Sequence, residues 1–441
     1  MFSRQDLRKL IVPLIIEQVL AVSIGIADTV MVSSAGEAAV SGIALIDSIN
    51  VLLINFFTAI ATGGAVITTQ YIGSRKPEQA RSSAQQLEVA VTISALFLMV
   101  FCIVLRRPLI RLIFGSIEAD VMANADIYFL ISAISYPFLA IYNAGAALFR
   151  SMSNSKTPML ISTLMNVLNV IGNAILIYGF AMGAAGAALA TLASRVIGAV
   201  IITAMLFNRK RGIYLESFLR YRPNKDMIGR ILGLGLPNGF ENSMFQLGKL
   251  LVASIVSTFG TTAITANAVA NNIVSLQVIP AAAIGTAMMT VVGTCKGAGL
   301  NDEVKRYTKK LMIYGYIAIE VMIVFTLIIG QPVISFYELS EETASLAWIM
   351  FFIHSIAAVL VWPPAFVMPN ALRAAGDVKY TMIVSIIFVF IFRVGFSWLL
   401  AVYLGYGAVA IWVAMAIDWI FRGLFFTVRF LRGKWQKIQV I

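Results

Sequence analysis

Apolar positions along this chain come in long unbroken runs rather than in alternation or one-faced stripes. From Leu10 to near the C-terminus, stretches of about 20 or more mostly apolar residues follow one another, separated by short polar connections. A run apolar on every face predicts a helix surrounded by lipid or by other helices, because about 20 residues rising 1.5 Å each cross a 30 Å hydrocarbon layer. Twelve spanning helices are predicted, over residues 10–33, 44–72, 87–105, 127–149, 159–180, 185–207, 228–258, 264–294, 311–330, 347–371, 380–403 and 407–430. The expected fold class is an all-α membrane protein.

The chain also repeats itself. At an offset of 224, Pro13 falls on Pro237, Glu17 on Glu241 and Gly73 on Gly297; at 223, Arg150 falls on Arg373 and Lys156 on Lys379. The string ALFRSMSNSKTPM answers ALRAAGDVKYTM. This predicts two pseudo-symmetric six-helix lobes, 1–207 and 228–432, joined by a cytoplasmic linker at 208–227 and followed by a tail at 433–441. Six helices per copy is even, so the copies are parallel and a substrate is expected between the lobes.

Composition supports the membrane reading, since 60% of the 441 residues are hydrophobic and only 12% charged, too few to coat a soluble surface. Arg4, Arg8 and Lys9 ahead of an apolar run have the outline of a signal peptide. Glu17 and Asp28 interrupt that run and no small-residue cleavage site closes it, so a first spanning helix is expected. Cys102 and Cys295 sit in or beside apolar segments, and no disulfide is expected. The net charge of +12 follows topology rather than one basic face, which argues against a nucleic-acid partner. With alternate connections placed outside, starting from the first, the tails and remaining loops, together with Arg230 and Arg429 at the span ends that adjoin them, hold 26 of the 33 Lys and Arg. The outside loops hold only Arg106, Arg107 and Arg111, and Arg195, Lys249, Arg393 and Arg422 fall within spans. Basic residues resist translocation, so both termini are expected in the cytoplasm and the protein in the cell (inner) membrane.

Charges at bilayer depth need a reason, since each costs about 2.5–3.5 kcal/mol on insertion scales. Five acids stand out: Glu17, Asp28, Glu241, Glu320 and Asp418. On the fifth span Asn166, Asn169 and Asn173 form a stripe at helical spacing. Counting 1.5 Å per residue puts Asp28 roughly 27 Å, Asn173 roughly 22 Å and Asn169 roughly 16 Å from the cytoplasmic ends, with Thr191 about 9 Å below the outer surface. The four groups can converge in the outer half of the first lobe, where a carboxylate with amide and hydroxyl oxygens suits a proton or a small hard cation such as sodium. The competing reading has the asparagines merely joining helices at about 0.6 kcal/mol per bond.

Glu17 and Glu241 each follow a helix proline by four residues, so a carboxyl that satisfies freed backbone donors competes with a role toward substrate. Gln246 and Asn166 join them as substrate or second-lobe candidates. Asp418 and Arg195 are equivalent in the repeat, and Arg422 lies one turn from Asp418, which favours a structural ion pair among these three. Lys249 is a candidate to neutralise Glu241 or to meet an anionic substrate; Glu320 has no obvious partner. His354 is the only histidine, so no His-based metal or catalytic site can be built.

PLIIEQVLAVSIGIADTVMVSSAGEAAVSG, ALFRSMSNSKTP leading into NVLNVIGNAIL, MGAAGAALATLASR and GLPNGFENSMFQ make the chain resemble the multidrug and toxic compound extrusion (MATE) family over essentially its whole length. The resemblance implies a V-shaped pair of six-helix lobes exporting organic, often cationic compounds in exchange for protons or sodium ions. It places the family's first-helix aspartate at Asp28, its fifth-helix asparagine at Asn169 and its sixth-helix threonine at Thr191. Relatives often carry Asp where this chain has Asn173, and the tenth span lacks the acid some relatives use, which leaves proton and sodium both open. No GxxxxGK[ST] loop occurs, so an ion gradient rather than ATP is expected to supply the work. The expected partners are a small organic solute and membrane lipid. The chain is expected to act as a monomer, with no cofactor beyond the coupling ion. Two alternatives are a flippase for a lipid-linked precursor, which would want a strongly cationic cavity, and a polytopic membrane enzyme, which would want a catalytic set at one surface.

Overall fold

The computed structural model describes residues 1–115, 117–209, 212–216 and 222–441. The expected linker at 208–227 therefore lies partly outside the described residues. Those residues form twelve long helices: α1 (Arg4–Ser33), α2 (Glu37–Gly73), α3 (Pro77–Phe114), α4 (Ala119–Ser151), α5 (Lys156–Gly179), α6 (Gly183–Leu206), α7 (Lys225–Ser257), α8 (Gly260–Gly297), α9 (Asn301–Phe336), α10 (Glu341–Ala374), α11 (Val378–Tyr403) and α12 (Val409–Leu431). Eleven are long and apolar enough to cross a membrane. The other, α7, has 33 residues but is diluted by Asn238, Glu241, Asn242, Gln246 and Lys249. The helices overrun the apolar stretches that announce them, because backbone bonding continues into the polar flanks. α1, for example, starts on a capping box in which Ser3 Oγ accepts from the Asp6 N–H at 3.1 Å and the Ser3 N–H donates to Asp6 Oδ2 at 2.8 Å.

The chain divides into two compact units, Phe2–Gly239 and Phe240–Ile441, the second taking in Met1. The boundary falls inside α7 rather than in the connection before it. Within the first unit α4 packs on α2, α3 and α6 and is buried along most of its length. Within the second, α8 is the most enclosed helix and packs on α9 and α10. In the first unit α2 and the start of α7 touch backbone to backbone: a Cβ on Gly63 would stand 2.6 Å from the Gly235 nitrogen. Only glycine at both positions permits that approach.

The repeat is written in the backbone. Positive φ angles occur in pairs: Gly36 (95°) with Gly260 (84°), Arg75 (58°) with Gly299 (74°), Gly115 (71°) with Glu338 (49°), and Ser153 (59°) with Gly376 (94°). Ala181 (53°) and Gly183 (52°) answer Gly405 (73°) and Gly407 (72°). Members of each pair stand 224 or 223 residues apart, so every turn of the first copy recurs in the second. Where Arg75, Ser153, Ala181 and Glu338 occupy this left-handed region, their counterparts are glycines that enter it freely.

The offset is 223 at Ser153 and 224 again at Ala181, so the second copy gains one residue between these turns. That stretch holds α5 and α11. Both end in a π-helical segment, Ala174–Gly179 and Trp398–Tyr403, in register at 224. α11 has a further one, Val389–Phe396, with no counterpart among the described residues of α5. A π turn bonds i to i+5 and so accommodates one residue more than an α turn.

Candidate functional site

Asp28 lies on the last two turns of α1, and α5 runs alongside it. Asn169 and Asn173, one turn apart on α5, are both buried and face it. Asn173 Nδ2 donates to Asp28 Oδ1 at 2.8 Å. The Asn169 amide bridges Asp28 and Thr191 of α6. One end stands 2.9 and 3.0 Å from the two carboxylate oxygens, the other 3.0 Å from Thr191 Oγ1. With its nitrogen toward Asp28 the amide donates to both carboxylate oxygens while its oxygen accepts from the threonine hydroxyl. With its oxygen toward Asp28 it can accept from a protonated carboxyl while its nitrogen donates to Thr191. Asn173 Oδ1 is buried and has no hydrogen-bond partner among the described residues. A carbonyl oxygen in that position, next to a carboxylate, is a ready ligand for a proton donor or a hard cation. Asn166, the third residue of the stripe, is half-buried and takes no part in this network.

Sequence reading passed over a second polar cluster in the same unit. Asp47, on α2, accepts from the Tyr128 hydroxyl at 3.0 Å and from Asn50 Nδ2 at 3.1 Å, and Asn50 Oδ1 accepts from the Tyr136 hydroxyl at 2.8 Å. The signal was an acid and an amide three residues apart on an apolar helix. Arg195 donates to Ser135 Oγ at 2.6 Å, so its expected place in an ion pair is not what the structure gives it. The pair is Asp418 with Arg422, which donates to both carboxylate oxygens at 3.0 and 2.9 Å, with both residues buried.

Glu17 and Glu241 receive the same partner in the two copies. Arg150 Nη2 donates to Glu17 Oε1 at 2.8 Å, and Arg373 Nη2 donates to Glu241 Oε1 at 2.6 Å, where the Ser385 hydroxyl also donates at 2.6 Å. Glu241 is therefore neutralised by Arg373 rather than by Lys249, whose ammonium lies 5.2 Å from the centre of the Phe245 ring. Gln246 is half-buried, and Glu320 is exposed on α9 with no ion pair among the described residues. His354 is a satisfied core residue: its Nδ1 lies 2.9 Å from Gln277 Oε1, and Gln277 Nε2 donates to Thr326 and Ser355.

The comparisons with known proteins follow the same duplication. The MatE family model matches twice, over residues 13–175 and 237–399, an offset of 224. The probable multidrug resistance protein NorM of Thermotoga maritima is 26% identical, aligned over 99% of this chain and 94% of that protein. The uncharacterized transporter YisQ of Bacillus subtilis is also 26% identical, over 96% and 93%. Among solved structures, a MOP superfamily transporter from Pyrococcus furiosus superposes with a TM-score of 0.90 at 19% identity, covering 98% of this chain and 97% of that one. An outward-facing multidrug resistance MATE family transporter gives 0.90 at 19%, covering 99% and 97%. With two family matches that fall in register with the repeat and span most of its length, the chain belongs to the MatE family of multi-pass membrane transporters.

Proposed function

We propose that this transporter is a secondary active antiporter that exports organic compounds, cationic and amphipathic ones among them, in exchange for protons or sodium ions by alternating access. The observation that carries the reading is the Asp28 carboxylate held by Asn173 and Asn169, with the unpartnered Asn173 Oδ1 and the Thr191 hydroxyl beside it. Such a site has two stable fillings. A proton or sodium ion on Asp28 removes its charge, and the Asn169 amide can present either end to suit. Export then requires only that the two access states differ in their affinity for that ion and for the solute. The Thermotoga relative, a probable multidrug resistance protein, supports an organic solute. The distribution of Lys and Arg supports a cell-membrane protein with both termini in the cytoplasm. The protein acts as a monomer with lipid around it and needs no cofactor beyond the coupling ion.

The test is uptake of a fluorescent organic cation into inside-out vesicles, with proton and sodium gradients imposed separately. Transport driven by one gradient and lost in Asp28→Asn, with the protein still folded, is the expected result. Full coupled transport in Asp28→Asn would overturn the assignment.

A further inference from the structure

The second unit gathers basic side chains around one ring. Three cations surround one phenylalanine: Lys249 Nζ of α7 lies 5.2 Å from the Phe245 ring centre, Arg393 Cζ of α11 lies 5.2 Å from it and Arg422 Cζ of α12 lies 5.5 Å from it. Arg422 also lies 5.3 Å from the Phe366 ring. Only Arg422 is matched, by Asp418. Neither Lys249 nor Arg393 forms an ion pair with a carboxylate among the described residues, and Arg393 Nε is buried without a partner. Lys249 is exposed and Arg393 half-buried.

The arrangement is built, not incidental. Arg393 sits in the π segment Val389–Phe396, the one segment of α11 with no counterpart in α5. Its carbonyl accepts from the Ser397 hydroxyl, the residue in register with Asn173, so the local bonding of the π turn is secured on the same helix. At the offset of 224, Lys249 stands where the first copy has Gly25, one turn from Asp28. One template thus presents an acid with amides in one unit and unmatched bases in the other. Cations over aromatic faces are attracted to the rings but are not neutralised by them. A pair of bases at bilayer depth is stabilised by an anion that both can reach, with the rings taking its apolar part.

We propose that Lys249 and Arg393, beside the matched Arg422, form an anion site in the second unit, taking the carboxylate or phosphate of an aromatic or otherwise apolar organic molecule. The proposal rests on reading the chain as an exporter of organic solutes and adds to it that these include solutes with an acidic group, alone or as part of a zwitterion. A soluble organic acid and a lipid phosphate share this chemistry.

The probe is 1-pyrenebutyrate, with a pyrenemethylammonium salt as the matched cation. Binding is read by energy transfer from tryptophan to pyrene on purified protein in neutral detergent; Trp362 and Trp419 lie 5.0 and 5.6 Å from Phe366, ring centre to ring centre. The wild type is expected to bind the anion at least tenfold more tightly than the cation, with the preference shrinking as salt is raised. Lys249→Gln and Arg393→Gln are each expected to weaken the anion about tenfold or more, and Lys249→Arg to restore it. Displacement of the probe by a few mole per cent of phosphatidylglycerol, but not phosphatidylcholine, assigns the site to lipid phosphate; retention assigns it to soluble organic acids. Equal binding of both probes by the wild type, which needs no variant to fold, would overturn the proposal, as would unchanged affinity in both glutamine variants. No gradient is applied, so a failure of ion-coupled export and a failure of this site are read separately.

Discussion

Replacing Glu241 with Gln removes the charge that receives Arg373 and Ser385, both at 2.6 Å, and leaves a guanidinium whose Nε already lacks a partner among the described residues. Breaking a buried pair from one side costs about 3–5 kcal/mol. The Arg373 side chain is 15% exposed and that of Glu241 only 6%. The glutamine oxygen can still accept one bond, which brings the expected loss to about 2–3 kcal/mol. Glu17→Gln breaks the equivalent pair, but there the side chains are 24% and 14% exposed and the contact is 2.8 Å. With the pair more exposed and no serine hydroxyl bonded to the carboxylate among the described residues, about 1–2 kcal/mol is expected. On a unit of about 200 residues, 1 kcal/mol moves the midpoint by about 2–4 °C, so Glu241→Gln should melt about 4–12 °C low. Thermal unfolding in one detergent at one scan rate should therefore rank wild type above Glu17→Gln above Glu241→Gln. Adding Arg373→Gln to Glu241→Gln should recover part of the loss, because the second change removes the orphaned charge. If Glu241→Gln melts no lower than Glu17→Gln, or the double variant loses the sum of its singles, the buried-pair account is wrong.

Two further substitutions follow from the same geometry. Ser153→Gly places in the first copy the residue that its counterpart Gly376 already supplies at positive φ, and should raise the melting point by the equivalent of about 0.5–1 kcal/mol. An unchanged or lower midpoint would show that the serine side chain compensates for its conformation. Asn173→Asp sets a second carboxylate beside Asp28, where the amide now donates at 2.8 Å, and should make solute export respond to a sodium gradient more strongly than in the wild type. Sodium-independent rates in that variant would count against cation coordination at this position.

The spans were legible because lipid imposes one requirement, a long run apolar on all faces, that no soluble helix must meet. Their ends were not: α3 runs from Pro77 to Phe114 where the apolar pattern gives 87–105, since helix bonding does not stop where hydrophobicity does. The meeting of Asp28, Asn169, Asn173 and Thr191 was readable from depth alone, because a fixed rise per residue turns sequence position into height. Partners across the fold were another matter. Nothing local joins Glu17 to an arginine 133 residues away, and for Glu241 the sequence offers Lys249 where packing brings Arg373 instead. Asp47 was missed for a different reason: Asn50 one turn on was a local signal, but the tyrosine that completes the cluster, Tyr128, lies 81 residues on. The three bases around Phe245 come from α7, α11 and α12, and only packing gathers them.

The unmatched π segment of α11 has a consequence for how duplicated halves diverge. A single residue inserted into a helix that stays α-helical would advance everything beyond it by about 100° and 1.5 Å, whereas a π turn takes the extra residue into one wide turn and leaves both flanks near the phase they had. The turns that flank α11 remain those that flank α5, so the insertion is absorbed within the helix. A copy can thus re-aim the side chains of one turn by one codon while the ends of the helix keep their counterparts. Arg393 lies in that turn, and the difference in character between α11 and α5 is in that sense local and angular before it is chemical.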